Sequence, residues 1–180
     1  MDKPIDLVPL VCLQCQTPIP ANPDEVAWVC GQCGQGLALD EELGISALQV
    51  NYQAGLPANT VAHPYWVTQG QVKLDRKTYG SGRKHAQAAE AFWAQPRRFF
   101  VPAFVASLEA LLSQATQLLL NPPPLQPGPA VRFKAVTMPA GDVRAAAEFI
   151  VMAVEAERKD KIKSIHFELT LSPPVLWILP

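Results

Sequence analysis

Residues 12–33 read CLQCQTPIPANPDEVAWVCGQC, and they hold every cysteine of the chain: Cys12, Cys15, Cys30 and Cys33. Two residues separate the members of each pair, and fourteen separate the pairs. A C-x2-C turn lets both thiolates face one ion while amides of the tight turn point back at the sulfurs. A second such turn, returned by a short hairpin, completes four ligands. The flanking residues suit this geometry. Gly34 follows the second pair, where a positive φ is usually required, and Gly31 sits inside it. Val11 and Val29 precede the two turns, Trp28 is placed to cover the site, and Pro18, Pro20, Asn22 and Pro23 stiffen the connection.

Over roughly residues 9–40 this pattern resembles the four-cysteine zinc ribbon, the knuckle pair of many small zinc-binding modules. The resemblance implies a structural Zn2+ held by Cys12, Cys15, Cys30 and Cys33. A rubredoxin-like iron site uses the same spacing and is the less favoured metal. Two disulfides or a dithiol redox pair are less favoured still, because cysteines confined to one end brace little of a 180-residue chain. Four closed ligands leave no open coordination position, so the metal is expected to hold the fold rather than catalyse, contributing on the order of 10 kcal/mol.

Working outward, the charge is unevenly placed although the total is only −1. Residues 1–60 carry one base, Lys3, against seven acids; residues 61–100 carry seven bases against Asp75 and Glu90; the remainder balances. Residues 4–60 contain no Lys or Arg at all. Phosphate binding needs bases near the fingertips, so the cysteine module is expected to meet proteins rather than nucleic acid. With 49% apolar and 17% charged residues, the chain has the profile of a folded protein. It lacks an apolar leader with a cleavage site, and its uncharged run Ala110–Val131 is broken by prolines. A cytoplasmic protein with no membrane span is therefore expected.

Residues 41–60 read as a short helical or irregular linker between the ribbon at 1–40 and an α/β domain at 61–180. Within that domain, Tyr65–Leu74 alternates as a strand with Trp66, Thr68, Gly70, Val72 and Leu74 on one face, and Gly70 suggests a bulge or turn. Lys84–Gln95 reads as a helix stopped by Pro96, and Arg98–Val101 as a short strand. A helix opening at Pro102 and running to about Leu120 carries an apolar stripe. Asn121–Pro129 is proline-rich and extended, and Val131–Met138 reads as a strand. Asp142 is placed to cap a helix to about Lys159, with Ala146, Phe149, Ile150, Ala153 and Val154 inward. Ser164–Leu171 is the cleanest strand, and Val175–Leu179 suggests an edge strand. The whole predicts an α+β or α/β fold with about three helices on one sheet behind the small ribbon.

Chemistry beyond the cysteines is sparse. His63, His85 and His166 fall in no catalytic or ligand spacing, and no thiol remains free for nucleophilic work. Arg83 and Lys84, after Gly80-Ser81-Gly82, are candidate anion contacts at a helix start, and Arg97 and Arg98 are candidate nucleic-acid contacts. Trp93, Phe99 and Phe100 beside them read first as core, with an exposed interface cluster or a stacking surface for single-stranded nucleic acid as the less favoured readings. The lysine-rich turn 158–163 reads as a solvated helix end. The favoured expectation is a non-catalytic adaptor or assembly subunit acting through a protein partner. A nucleic-acid-binding protein using segment 73–98 is second, and an enzyme with a dispersed site is third.

Overall fold

A computed structural model describes residues 9–40, 44–57, 59, 61–79, 83–158 and 160–180. The chain is α+β; among the described residues it has two sheets and three α-helices, and the cysteine cluster precedes the larger sheet. β1 (Ala27–Val29), β2 (Gly36–Asp40) and β3 (Gly44–Leu48) form an antiparallel three-stranded sheet in that order. β4 (Val50–Tyr52) follows after a single residue and leaves this sheet to pair in parallel with β8 (Val175–Leu179). The segment read as a helical or irregular linker is therefore two strands over 44–52. Its Ile45 packs on the small core beside the cysteines, and Leu48 and Val50 pack on the main core.

The axis of the larger sheet is β5 (His63–Thr78), whose alternation is as expected: Trp66, Thr68, Gly70, Val72 and Arg76 are buried. β6 (Arg97–Pro102) lies antiparallel along Tyr65–Gly70. On the opposite side, β7 (Ile162–Leu171) and then β8 follow one another along β5, both antiparallel to it. The extra residue between them, in Ser172–Pro174, is absorbed by local bonds. Thr68 Oγ1 donates to the Ser172 carbonyl at 2.6 Å, and Gln69 N donates to Ser172 Oγ at 3.1 Å. β8 is thus an interior strand, flanked by β4 and β5, not the edge strand expected from its place in the sequence. Gly70 carries no bulge; it pairs with both Arg97 and Leu171, and the Phe99 ring lies where a Cβ would project.

α1 (Arg83–Trp93), α2 (Leu108–Leu120) and α3 (Val143–Ala156) surround this sheet. α2 starts later than its stripe suggests, because Pro102 ends β6 and Ala103 is used by the sheet. Ala103 N donates to the Pro64 carbonyl, and its own carbonyl accepts from Thr137 and Met138. Ser107 then caps α2, its Oγ accepting from Ala110 N at 3.2 Å. In α3 the buried stripe is Val143, Ala146, Ala147, Ile150, Val151, Val154 and Glu155, which leaves Phe149 55% exposed rather than inward. Asp142 stands at its N-cap position without a side-chain capping bond.

Val131–Met138 does not join a sheet as a strand. It is an extended strap that changes partner residue by residue, bonding Ala62 through Arg132 and Lys134, Val26 through Val136 and Ala103 through Thr137. It thereby ties the cysteine module to the larger sheet, and Ala27 and Val136 share the core of Trp66, Trp93 and Ile150.

Candidate metal centre

The two cysteine pairs sit in turns built on one plan. In the first, Cys12 N donates to the Thr17 carbonyl at 2.9 Å and Gln16 N to the Cys12 carbonyl at 3.0 Å. In the second, Cys30 N donates to the Gln35 carbonyl at 2.8 Å and Gly34 N to the Cys30 carbonyl at 2.9 Å. The residue after each pair has a positive φ, 60° at Gln16 and 76° at Gly34. The first turn is closed by Val11 opposite Pro18, the second by the β1–β2 hairpin. Cys12 and Cys30 are buried with Ile19, Trp28 and Leu37, a small core of their own.

These turns bring all four sulfurs within 4.8 Å of one another, with Cys12–Cys33 and Cys15–Cys30 each at 3.5 Å. A tetrahedral ion with bonds of about 2.3 Å needs sulfurs about 3.8 Å apart, so the donor set and its size both fit a single metal. Among the described residues this is the one group of His, Cys, Asp or Glu so placed.

The thiols differ in acidity. Cys15 is drawn down to about 6, first by the Thr17 hydroxyl 3.2 Å from its sulfur and then by the Thr17 amide. Cys12 is lowered chiefly by the Cys15 amide. Cys33 is pulled down by the Gln35 amide, yet burial and the three neighbouring thiols outweigh it and push it up to about 12. A bound dication replaces these protons, which is the ordinary coupling of metal uptake to proton release.

The other candidate residues do not gather here. Trp93, Phe99 and Phe100 are buried at 1%, 0% and 0% exposure, so they form core and present no surface cluster. Trp93 and Phe99 stack within the main core, while Phe100 packs on the opposite sheet face with Tyr65 and Leu179. Arg97 donates to the Phe92 carbonyl from Nε (2.9 Å) and Nη2 (2.6 Å) and lies over the Phe92 ring. Arg98 is half-buried; the side chains of Arg83 and Lys84 and the loop 80–82 lie outside the described residues.

Sequence reasoning missed a buried ionic network. Arg76 on β5 pairs with Asp160 through Nη1 (2.5 Å) and Nη2 (2.6 Å) and with Glu155 of α3 through Nε (2.8 Å). Glu155 also accepts from Trp93 Nε1 at 2.8 Å and Arg158 Nε at 2.7 Å. Arg158 and Asp160, in the segment 158–163 read as a solvated helix end, are therefore engaged in this network. The signal was present: Arg76 occupies an inward position of the β5 alternation, which requires a buried carboxylate nearby.

An open cleft of about 590 Å³ lies between β2–β3 and the turn Pro139–Asp142, floored by Trp66, with Asp40, Ser46 and Asp142 as its polar lining. No helix among the described residues is long and apolar enough to cross a membrane. Compared with known proteins, the chain matches no protein-family model, no curated sequence and no solved structure.

Proposed function

We propose that this is a cytoplasmic, non-catalytic adaptor or assembly subunit whose amino-terminal module is a zinc ribbon that docks onto a protein partner. The observation that carries the reading is a cluster of four thiols, all within 4.8 Å of one another, inside a module without a single base. Residues 9–40 contain Asp24, Glu25 and Asp40 but no Lys or Arg. At the tip of the first knuckle Leu13 is 50% exposed between the ligands Cys12 and Cys15, and Gln14 and Gln32 are exposed at the tips of the two knuckles. An apolar anchor ringed by uncharged amides suits a protein surface, and it offers nothing to a phosphate backbone. Zinc is preferred to iron because a closed thiolate site with a structural role needs no redox change.

The tagged full chain, recovered from its native host with nuclease present, should hold one zinc and a defined protein. Leu13→Asp should release that protein and keep the zinc. Failure to retain any protein, or an identical retained set with Leu13→Asp, sinks the docking assignment. Iron in the purified protein overturns the metal assignment alone.

A further inference from the structure

Beyond Gly70, β5 has β7 as its sole strand partner among the described residues, and the two run on as an arm. The outward side chains of that arm pair as Gln71–Thr170, Lys73–Glu168, Asp75–His166 and Lys77–Ser164. Lys73 and Glu168 neutralise one another at 3.3 Å. Nearer the tip the balance changes. The register shifts between Lys77 and Thr78, so Lys163 has no residue opposite it, and its Nζ lies 6.0 Å from the Tyr79 ring centroid. Tyr79 is 63% exposed, held by its amide donating to the Lys161 carbonyl at 2.9 Å. Lys77, Lys161 and Lys163 are all exposed around it. Of the nearby carboxylates, Glu155 and Asp160 are turned inward onto Arg76 and Arg158, while Asp75 faces outward opposite His166 and offsets one of the three lysine charges.

We propose that this tip is a binding surface for single-stranded nucleic acid, with phosphates on Lys77, Lys161 and Lys163 and a base stacked on Tyr79. The pairing of one open aromatic ring with flanking ammonium groups favours this class. A base has a π-face for the ring and phosphates on either side for the lysines. A lipid surface would need an apolar wedge, and Tyr79 stands alone among bases. Lys77 and Tyr79 belong to the segment 73–98 expected from sequence to meet nucleic acid, but the aromatics at its far end do not serve, because Trp93, Phe99 and Phe100 are core and Arg97 is occupied by Phe92. The tip is separate from the metal centre, so its failure leaves the docking assignment standing.

The test is fluorescence anisotropy of a short single-stranded RNA, and of the same sequence as DNA, with the metal-loaded full chain. Three phosphate contacts predict affinity falling roughly 20-fold between about 50 and 200 mM salt. Replacing Lys77, Lys161 and Lys163 together by Gln should weaken binding by about 30-fold or more at the lower salt and flatten the salt dependence. Tyr79→Ala should cost about 10-fold with the salt slope unchanged. Lys134→Gln, on the strap beside the opposite end of β5, should change nothing. Absence of binding, salt-insensitive binding, lysine or tyrosine variants that bind like the wild type, or a preference for phosphatidylserine vesicles over RNA would each overturn the proposal. The wild-type salt slope is decisive even if the triple variant folds poorly.

Discussion

Gln16 and Gly34 occupy equivalent places, one residue past the second cysteine of each knuckle, and both have a positive φ. An L side chain is strained there, and glycine is not. A Cβ on Gly34 would meet nothing within 4 Å, so any cost at that site comes from the backbone alone. Gln16→Gly should therefore stabilise the metal-loaded protein by about 0.5–1 kcal/mol, and Gly34→Ala should destabilise it by about 1 kcal/mol. Urea midpoints measure both. Shifts of the same sign would show that side-chain contacts, rather than φ, govern these turns. The sequence pointed to Gly34 but not to Gln16, because a glutamine gives no warning that it will adopt a left-handed conformation.

Where elements meet, the Arg76 network joins β5, α1 and α3 through fully buried groups. Removing one member of a buried ionic set strands the others, at about 3–5 kcal/mol. Arg76→Met should thus cost about 3 kcal/mol or more, whereas Lys73→Ala, which breaks an exposed pair, should cost less than about 0.5 kcal/mol. The same network sets an acid response. The Arg76 guanidinium, mainly through its hydrogen bonds, holds the Asp160 carboxyl below its usual range. Its contribution is complete above the unfolded value of about 3.9, and it disappears as pH falls through the lower folded value. Stability of the wild type should consequently fall more steeply below about pH 4 than that of Arg76→Met. Because both proteins share the metal centre, the difference between their urea midpoints isolates the carboxylate; parallel curves would refute this assignment.

Over the whole molecule, the cysteine module and the larger sheet share a seam through Ala27, Val26 and the strap at Val136. The three helices pack on the larger sheet and take no part in the small core around Cys12 and Cys30. Stripping the metal with a chelator should therefore lower the melting temperature while leaving most of the helical far-ultraviolet signal in place. Loss of the helical signal together with the metal would mean that the seam makes one cooperative unit of the chain.

The sequence by itself determined the features that depend on short spacing and on alternation. These are the four ligand positions, the positive φ at Gly34, the inward face of β5, the strands β6 and β7, and the presence of three helices, though not the inward place given to Phe149. Each is a local pattern, fixed by residues within a turn or two of one another. Tertiary structure decided what depends on partners distant along the chain. It made strands of 44–52, placed β8 inside the sheet, turned 131–138 into a strap and buried Trp93, Phe99 and Phe100. Pairing along a strand is set by whichever distant edge offers free amides and carbonyls, and burial by what packs above a side chain. Neither is written in the residues nearby.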